Sequence, residues 1–210
     1  MSDRESIEYD VMLDEVHAQI QFEEASKISA LEQCIYLFVE GDSEETAFKI
    51  ILEEGLNINF EKYGVEIANY NGIGNLKHTL RLMKKTLSHK GPMIFTFDND
   101  IEGQKLMASM SPEFKDVNFF KIPELSVVNY NGNISGGSFE EAFEKKDFIN
   151  ACFETTLLRN NKQIKTYEFS NIFIPNLPWY NQIVTFLKRK GLPNYLPSKI
   201  EISEFMAVEC

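Results

Sequence analysis

Apolar and polar positions alternate between two patterns along the chain, and the switches between them mark its elements. Residues 34–39 (Cys34-Ile35-Tyr36-Leu37-Phe38-Val39) form a short, continuous apolar run rich in β-formers, as expected for a strand covered on both faces. It stops at Glu40-Gly41, where Asp42 or Ser43 can cap a helix running to about residue 54, with Glu45 placed for a capping box. A weaker strand at 65–68 leads into the turn Asn69-Tyr70-Asn71-Gly72-Ile73-Gly74-Asn75. A helix of about 14 residues follows, with Leu76, Leu80, Met83 and Leu87 on one face and Lys77, Arg81, Lys84 and Lys85 on another. Gly91-Pro92 breaks it. The third strand, 93–97, runs into Asp98-Asn99-Asp100-Ile101-Glu102-Gly103, and a helix takes residues 104–110. A fourth strand is expected at 117–122, then an Asn- and Gly-rich loop at 129–138 and a helix at 139–151 with Ser138 as N-cap and Glu141 three residues on. After residue 155 the rhythm fails: 172–174 reads as a short edge strand before Pro175, and 179–190 and 200–208 as helices.

Strand and helix in regular alternation imply an α/β fold, a mostly parallel sheet flanked by helices. An acidic helix over residues 1–33 is expected before it and a small α/β appendage over 153–210 packed on it, leaving 34–152 as the main unit. The first 33 residues carry nine acids against two bases, and Val11, Leu13, Val16, Ile20, Phe22 and Ile28 are their apolar positions. Such a helix suits a lid, a packing role or the docking of a partner.

Composition changes this picture only locally. The 210 residues are 43% hydrophobic and include 17 Phe, enough for a substantial core. No apolar run approaches the roughly 20 residues needed to span a bilayer, and the first ten residues lack the basic and apolar regions of a secretory signal. Three scattered cysteines without metal-ligand spacing suit a reducing, cytoplasmic setting. The net charge of −11 opposes non-specific coating of nucleic acid. Residues 77–90, however, carry five Lys or Arg and no acid, which is either a solvated face or a track for phosphates.

In an open parallel sheet, ligands sit beyond the carboxyl ends of the strands. The first strand ends at Glu40, the second at the Gly72/Gly74 turn, and the third at Asp98 and Asp100, so topology alone brings these to one edge. Clustered carboxylates repel unless a cation joins them, and a hard ion such as Mg²⁺ or Mn²⁺ needs only two or three of them. Glu40 then serves as ligand or as general acid/base. Asp98 and Asp100 could alternatively cap a helix, and Gly72 and Gly74 could be plain turn glycines.

Val39-Glu40-Gly41, Gly72-Ile73-Gly74-Asn75 and Asp98-Asn99-Asp100-Ile101-Glu102-Gly103, in this order and each at a strand end, resemble the Toprim pattern of topoisomerases, primases and OLD-type nucleases. The resemblance implies a Rossmann-like Toprim fold and a metal-dependent nuclease with a one- or two-metal mechanism. Glu102 stands where many Toprim proteins have a third aspartate, closer to primases and small maturation ribonucleases. The loop and helix Ser135-Gly136-Gly137-Ser138-Phe139-Glu140-Glu141-Ala142-Phe143 resemble the later acidic helix of OLD nucleases, which implies Glu140 or Glu141 as a further ligand, and that family's Glu-Gly-x-x-Glu run implies that Glu44 faces the metals. A late lysine is implied as well, with Lys162, Lys165, Lys188 and Lys190 as candidates. Gly72, Gly74, Asn75, Lys77, Arg81, Lys84 and Lys85 are the expected nucleic-acid contacts, with DNA favoured over RNA. Proteins of this kind act beside an ATPase, and no GxxxxGK[ST] run occurs here, so a separate ATPase subunit and an anti-phage role are expected, with a homo-oligomer possible in principle. An RNA-maturation ribonuclease and a non-catalytic partner-binding module are the alternatives.

Overall fold

The computed structural model describes residues 16–17, 19–24, 34–86, 91–115 and 117–209, apart from the side chains of 73 and 84–86. Four strands form a single parallel sheet: β1 (Ile35–Val39), β2 (Val65–Asn69), β3 (Met93–Asp98) and β4 (Asn118–Ile122), in the order β2-β1-β3-β4. The two most apolar runs, β1 and β3, take the centre, where both faces are covered. Strand β2, with exposed Glu66, and β4, with its mostly exposed residues, take the edges. Register follows: Phe38 pairs with Phe95 and Asp98 with Ile122, so the carboxyl ends are level.

Helices connect the strands. Helix α1 (Asp42–Lys49) continues as a π-helical stretch, Ile50–Gly55, and the one-turn helix α2 (Phe60–Tyr63) precedes β2. Helix α3 (Leu76–Thr86) precedes β3, and α4 (Ile101–Met110) follows it. On one face of the sheet, Phe38 and Phe95 stack with ring centroids 4.3 Å apart, over Leu76, Leu80, Met110 and Phe114. On the other, Ala47, Phe139 and Ala207 form a smaller cluster with Phe48 and Ile122.

The expected capping box at Glu45 does not form. Gly41 is the N-cap of α1 and receives no side-chain bond, and Glu45 instead accepts from Lys49 (2.6 Å) and Asn69 (2.9 Å). Helix α4 starts three residues earlier than its apolar pattern suggests, because Asp100 Oδ1 accepts from the Gly103 N–H at 2.8 Å and caps it. Residues 139–151 are not one helix. A 3₁₀ turn, Phe139–Ala142, is separated by an extended Phe143 from α5 (Lys145–Glu154).

The C-terminal part is helical rather than α/β: α6 (Thr156–Arg159), α7 (Thr166–Ser170), α8 (Trp179–Arg189) and α9 (Lys199–Val208). The edge strand expected at 172–174 is a turn and extended link. The Ile174 backbone gives its hydrogen bonds to the Gln182 side chain, so no sheet partner is needed (2.8 Å each way). The boundary expected at 152/153 falls within α5, whose Phe148, Ile149 and Cys152 join Phe169, Phe173, Trp179 and Phe186 in a second, aromatic-rich core. Helix α9 packs against both α5 and α1 and ties this core to the sheet.

Of the acidic segment 1–33, residues 16–17 and 19–24 are helical and their apolar side chains Val16, Ile20 and Phe22 are exposed. The rest of it lies outside the described residues. Among those residues, no helix is long and apolar enough to cross a membrane.

Candidate metal centre

Each strand end delivers a group to the same edge. Beyond β1 stands Glu40, and one turn into α1 stands Glu44, only 9% exposed. Asp98 closes β3, and its backbone N–H lies 3.5 Å from Glu40 Oε2. Glu40, Glu44 and Asp98 line a cavity of about 10 Å³ with Thr96 and Phe139, about the room one water or ion centre requires. The fourth carboxylate is Glu140, on the 3₁₀ turn, 2% exposed, with Oε1 held by Lys199 Nζ at 2.7 Å and Oε2 without a partner among the described residues.

Several groups register this concentration of negative charge. Burial, then Glu40, Glu44 and Glu140, push the Asp98 carboxyl up to about 9, against the opposing pull of Lys199. Burial and then Glu40, Asp98 and Glu44 raise the phenol of Tyr70 well above its usual range. Burial foremost, and then Glu140, raises the Cys152 thiol. Burial of the Lys199 ammonium works to lower its pKa, but Glu140, Asp98 and Glu44 together outweigh it and raise the value. Among the described residues, four acids thus face one nearby lysine, whose side chain is still 47% exposed.

The donor set fits a hard divalent cation. All four donors are carboxylates, one oxygen is buried and unpartnered, and Asp98 holds a proton that a cation would displace. Among the described residues no three His, Cys, Asp or Glu side chains already converge as a ligand cage, so an ion would have to draw the carboxylates together.

The remaining expected ligands stand elsewhere. Asp100 caps α4 through Oδ1 and lines a neighbouring cleft with Lys199. Glu141 points the opposite way from its neighbour: its carboxylate accepts from the N–H groups of Gly137 (2.5 Å), Ser138 (2.7 Å) and Trp179 (2.9 Å), which makes it a structural anchor. Glu102 is exposed and pairs with Lys105. Lys199 is the lysine that reaches the acids, outside the four candidates, one of which, Lys190, is bonded to Glu168. Its only sequence signal is the Ser198 cap just before it; what places it is the packing of α9 on α1 and α5. Tyr70 was likewise not foreseen. It sits under the cluster, its hydroxyl donating to the Thr96 carbonyl at 2.7 Å.

The glycine turn is built to support Glu40. Gly72 has φ +93°, open to glycine far more readily than to other residues, and its N–H donates to the Glu40 carbonyl at 2.8 Å. Asn75 closes the turn by donating to Asn71 O at 2.7 Å. Gly74 has open space around it. On the basic face, Lys77 and Arg81 both meet Glu113, Arg81 through two bonds of 2.9 and 3.0 Å, which makes them part of a surface ion-pair cluster. The side chains of Lys84 and Lys85 lie outside the described residues.

Residues 35–100 match the family model of the Overcoming lysogenization defect protein-like TOPRIM domain. The chain carries a Toprim domain related to those of OLD-like proteins. The match spans β1 to Asp100 and so includes Glu40, Glu44, Asp98 and Asp100, while Glu140 and Lys199 lie beyond it. Among solved structures, the C-terminal region of the Burkholderia pseudomallei OLD protein is similar at 14% identity and a TM-score of 0.48, over 85% of this chain and 91% of that one. No curated protein matches the chain in sequence.

Proposed function

We propose that this Toprim protein is a nuclease that hydrolyses phosphodiester bonds, with Mg²⁺ or Mn²⁺ held by Glu40, Glu44, Asp98 and Glu140. The observation that carries the reading is the meeting of these four carboxylates with Lys199 at the carboxyl edge of the sheet. A divalent ion bound there supplies Lewis-acid activation of the water and phosphate, which carboxylates alone cannot provide. Asp100, on the cleft side, is the group that would extend the site to a second ion. Lys199 offers its ammonium to a phosphate oxygen, where charge builds in the transition state. Glu140 keeps that ammonium in place, and Tyr70 fills the floor beneath the acids.

DNA is the favoured substrate. The finer reading, an anti-phage effector in the cytoplasm restrained by an ATPase, is supported by the likeness to OLD-like Toprim domains. The 210 residues hold no Walker A run, so the ATPase would have to come from outside them.

Purified protein incubated with plasmid DNA, single-stranded oligonucleotides and bulk RNA in Mg²⁺ or Mn²⁺ tests the reading. Glu40→Ala and Asp98→Ala each reduce cleavage at least ~100-fold, the order expected when a transition-state contact is removed. Cleavage that survives both substitutions contradicts the assignment.

A further inference from the structure

We propose that the cleft beside the acid cluster seats one unpaired nucleotide next to the phosphate to be cut. This deepens the nuclease reading and rests on it for the place of that phosphate.

The cleft encloses about 320 Å³, within the range of pockets that hold one small molecule. A compact space of that volume is about 8–9 Å across, too narrow to admit a duplex, whose major groove alone is roughly 12 Å wide. A base pair does not fit, whereas an unstacked nucleotide does. Its lining divides by chemistry into Ile134, Pro178 and Tyr180 on the apolar side of the account and Asp100, Asn181 and Lys199 on the polar side. That combination suits a flat base, a sugar hydroxyl and an anion in one ligand.

The walls are preformed. Tyr180 is fixed by its hydroxyl, which donates to the Pro197 carbonyl at 2.8 Å, and the Lys199 ammonium lies 5.0 Å from its ring centroid. Aromatic surface and cation are therefore presented together. The opposite loop is braced by Ser135 N–H donating to Val127 O at 2.8 Å, by the Ser135 hydroxyl donating to Asn176 O at 2.9 Å, and by a bridge between Val128 and Ile134. Gly137 keeps that loop against the Asp98–Asp100 turn, since an added Cβ would stand 2.3 Å from Asn99 O. Lys199 joins the two regions, lining the cleft while bonded to Glu140 of the acid cluster. A nucleotide in the cleft thus has its phosphate directed to the carboxylates.

Reaching an unpaired nucleotide is cheapest in single strands, where no base pair must be broken. Single-stranded DNA is then the better substrate, and intact duplex the poorer one.

Calorimetric titration of the full chain with thymidine 5′-monophosphate in Mg²⁺, and with uncharged thymidine in EDTA, tests the cleft without reference to cleavage. Saturable binding of both is expected, with the monophosphate at least ~10-fold tighter than inorganic phosphate. Ile134→Trp, which fills the cleft, weakens both at least ~10-fold, and Asn181→Ala, at an exposed position that folding does not depend on, weakens them several-fold. Absence of binding by both ligands overturns the proposal, as does inorganic phosphate competing as well as the monophosphate or affinity unchanged in both variants. If both ligands bind and the variants weaken them while no nucleic acid is cut, the cleft stands and the nuclease reading fails.

Discussion

At the scale of single residues, the neighbours Glu140 and Glu141 show how little sequence position says about role. Glu140 is buried with one oxygen unpartnered, whereas Glu141 spends its carboxylate on three backbone N–H groups. Glu140→Gln should therefore abolish most of the thermal stabilisation that Mn²⁺ confers. Glu141→Ala should cost about 1–3 kcal/mol of stability and leave the Mn²⁺ increment intact, as thermal denaturation in EDTA and in Mn²⁺ would show. Lys199→Met should leave Glu140 buried beside other acids without its cation. Loss of such a partner is costly, but half of Lys199 is exposed, so the effect in EDTA is about 1–3 kcal/mol. Mn²⁺ should restore much of it. Glu40 and Asp98 were legible because they directly follow strands whose apolar runs announce them. The Glu140/Glu141 choice and Lys199 were not, because side-chain direction and the docking of α9 are tertiary facts.

At the scale of elements, two glycines decide whether the acidic turn can form. A Cβ at Gly103 would stand 1.9 Å from the Asp98 carbonyl oxygen, and one at Gly137, where φ is +127°, 2.3 Å from Asn99 O. Gly103→Ala and Gly137→Ala should each destabilise the protein by at least about 2 kcal/mol. Gly74→Ala, with open space around it, should change stability by less than about 0.5 kcal/mol. Chemical denaturation of the three variants measures this, and a Gly74→Ala loss equal to the others would refute the account of the turn. The four strands were readable from β-rich runs of four to six residues. Residues 172–174 looked strand-like too, yet the Ile174 backbone is satisfied by Gln182, a side chain eight residues on, which no periodicity reveals. The single helix expected over 139–151 failed for a similar reason: Glu141 anchors the turn to Trp179 and bends the chain at Phe143.

At the scale of the whole molecule, two cores meet along α9, and the acids collect at their seam. The charge gathered there sets the pH dependence of the metal-free protein. Asp98 titrates at about 9 when folded but near 3.9 when unfolded, so folding takes up a proton between these values. Stability from this group is full below pH ~4 and is lost as pH rises toward 9, on the order of a few kcal/mol in all. Asp98→Asn has no such titration. The difference in melting temperature between Asp98→Asn and the wild type, both in EDTA, should widen steadily from pH 5 to pH 9. Metal binding requires the ionised form, so the Mn²⁺ increment of the wild type should grow over the same window.

The central claim, that these carboxylates form a divalent-metal site, is tested most directly by melting the wild type and Asp98→Asn at pH 8 with EDTA and with Mn²⁺. In EDTA the variant should melt at least about 2 °C above the wild type, because folding the wild type at pH 8 must protonate Asp98, ionised when unfolded, whereas asparagine takes up no proton. In Mn²⁺ the wild type should gain about 4 °C or more and the variant almost nothing. A wild type indifferent to Mn²⁺, or a variant that gains as much, would contradict the claim.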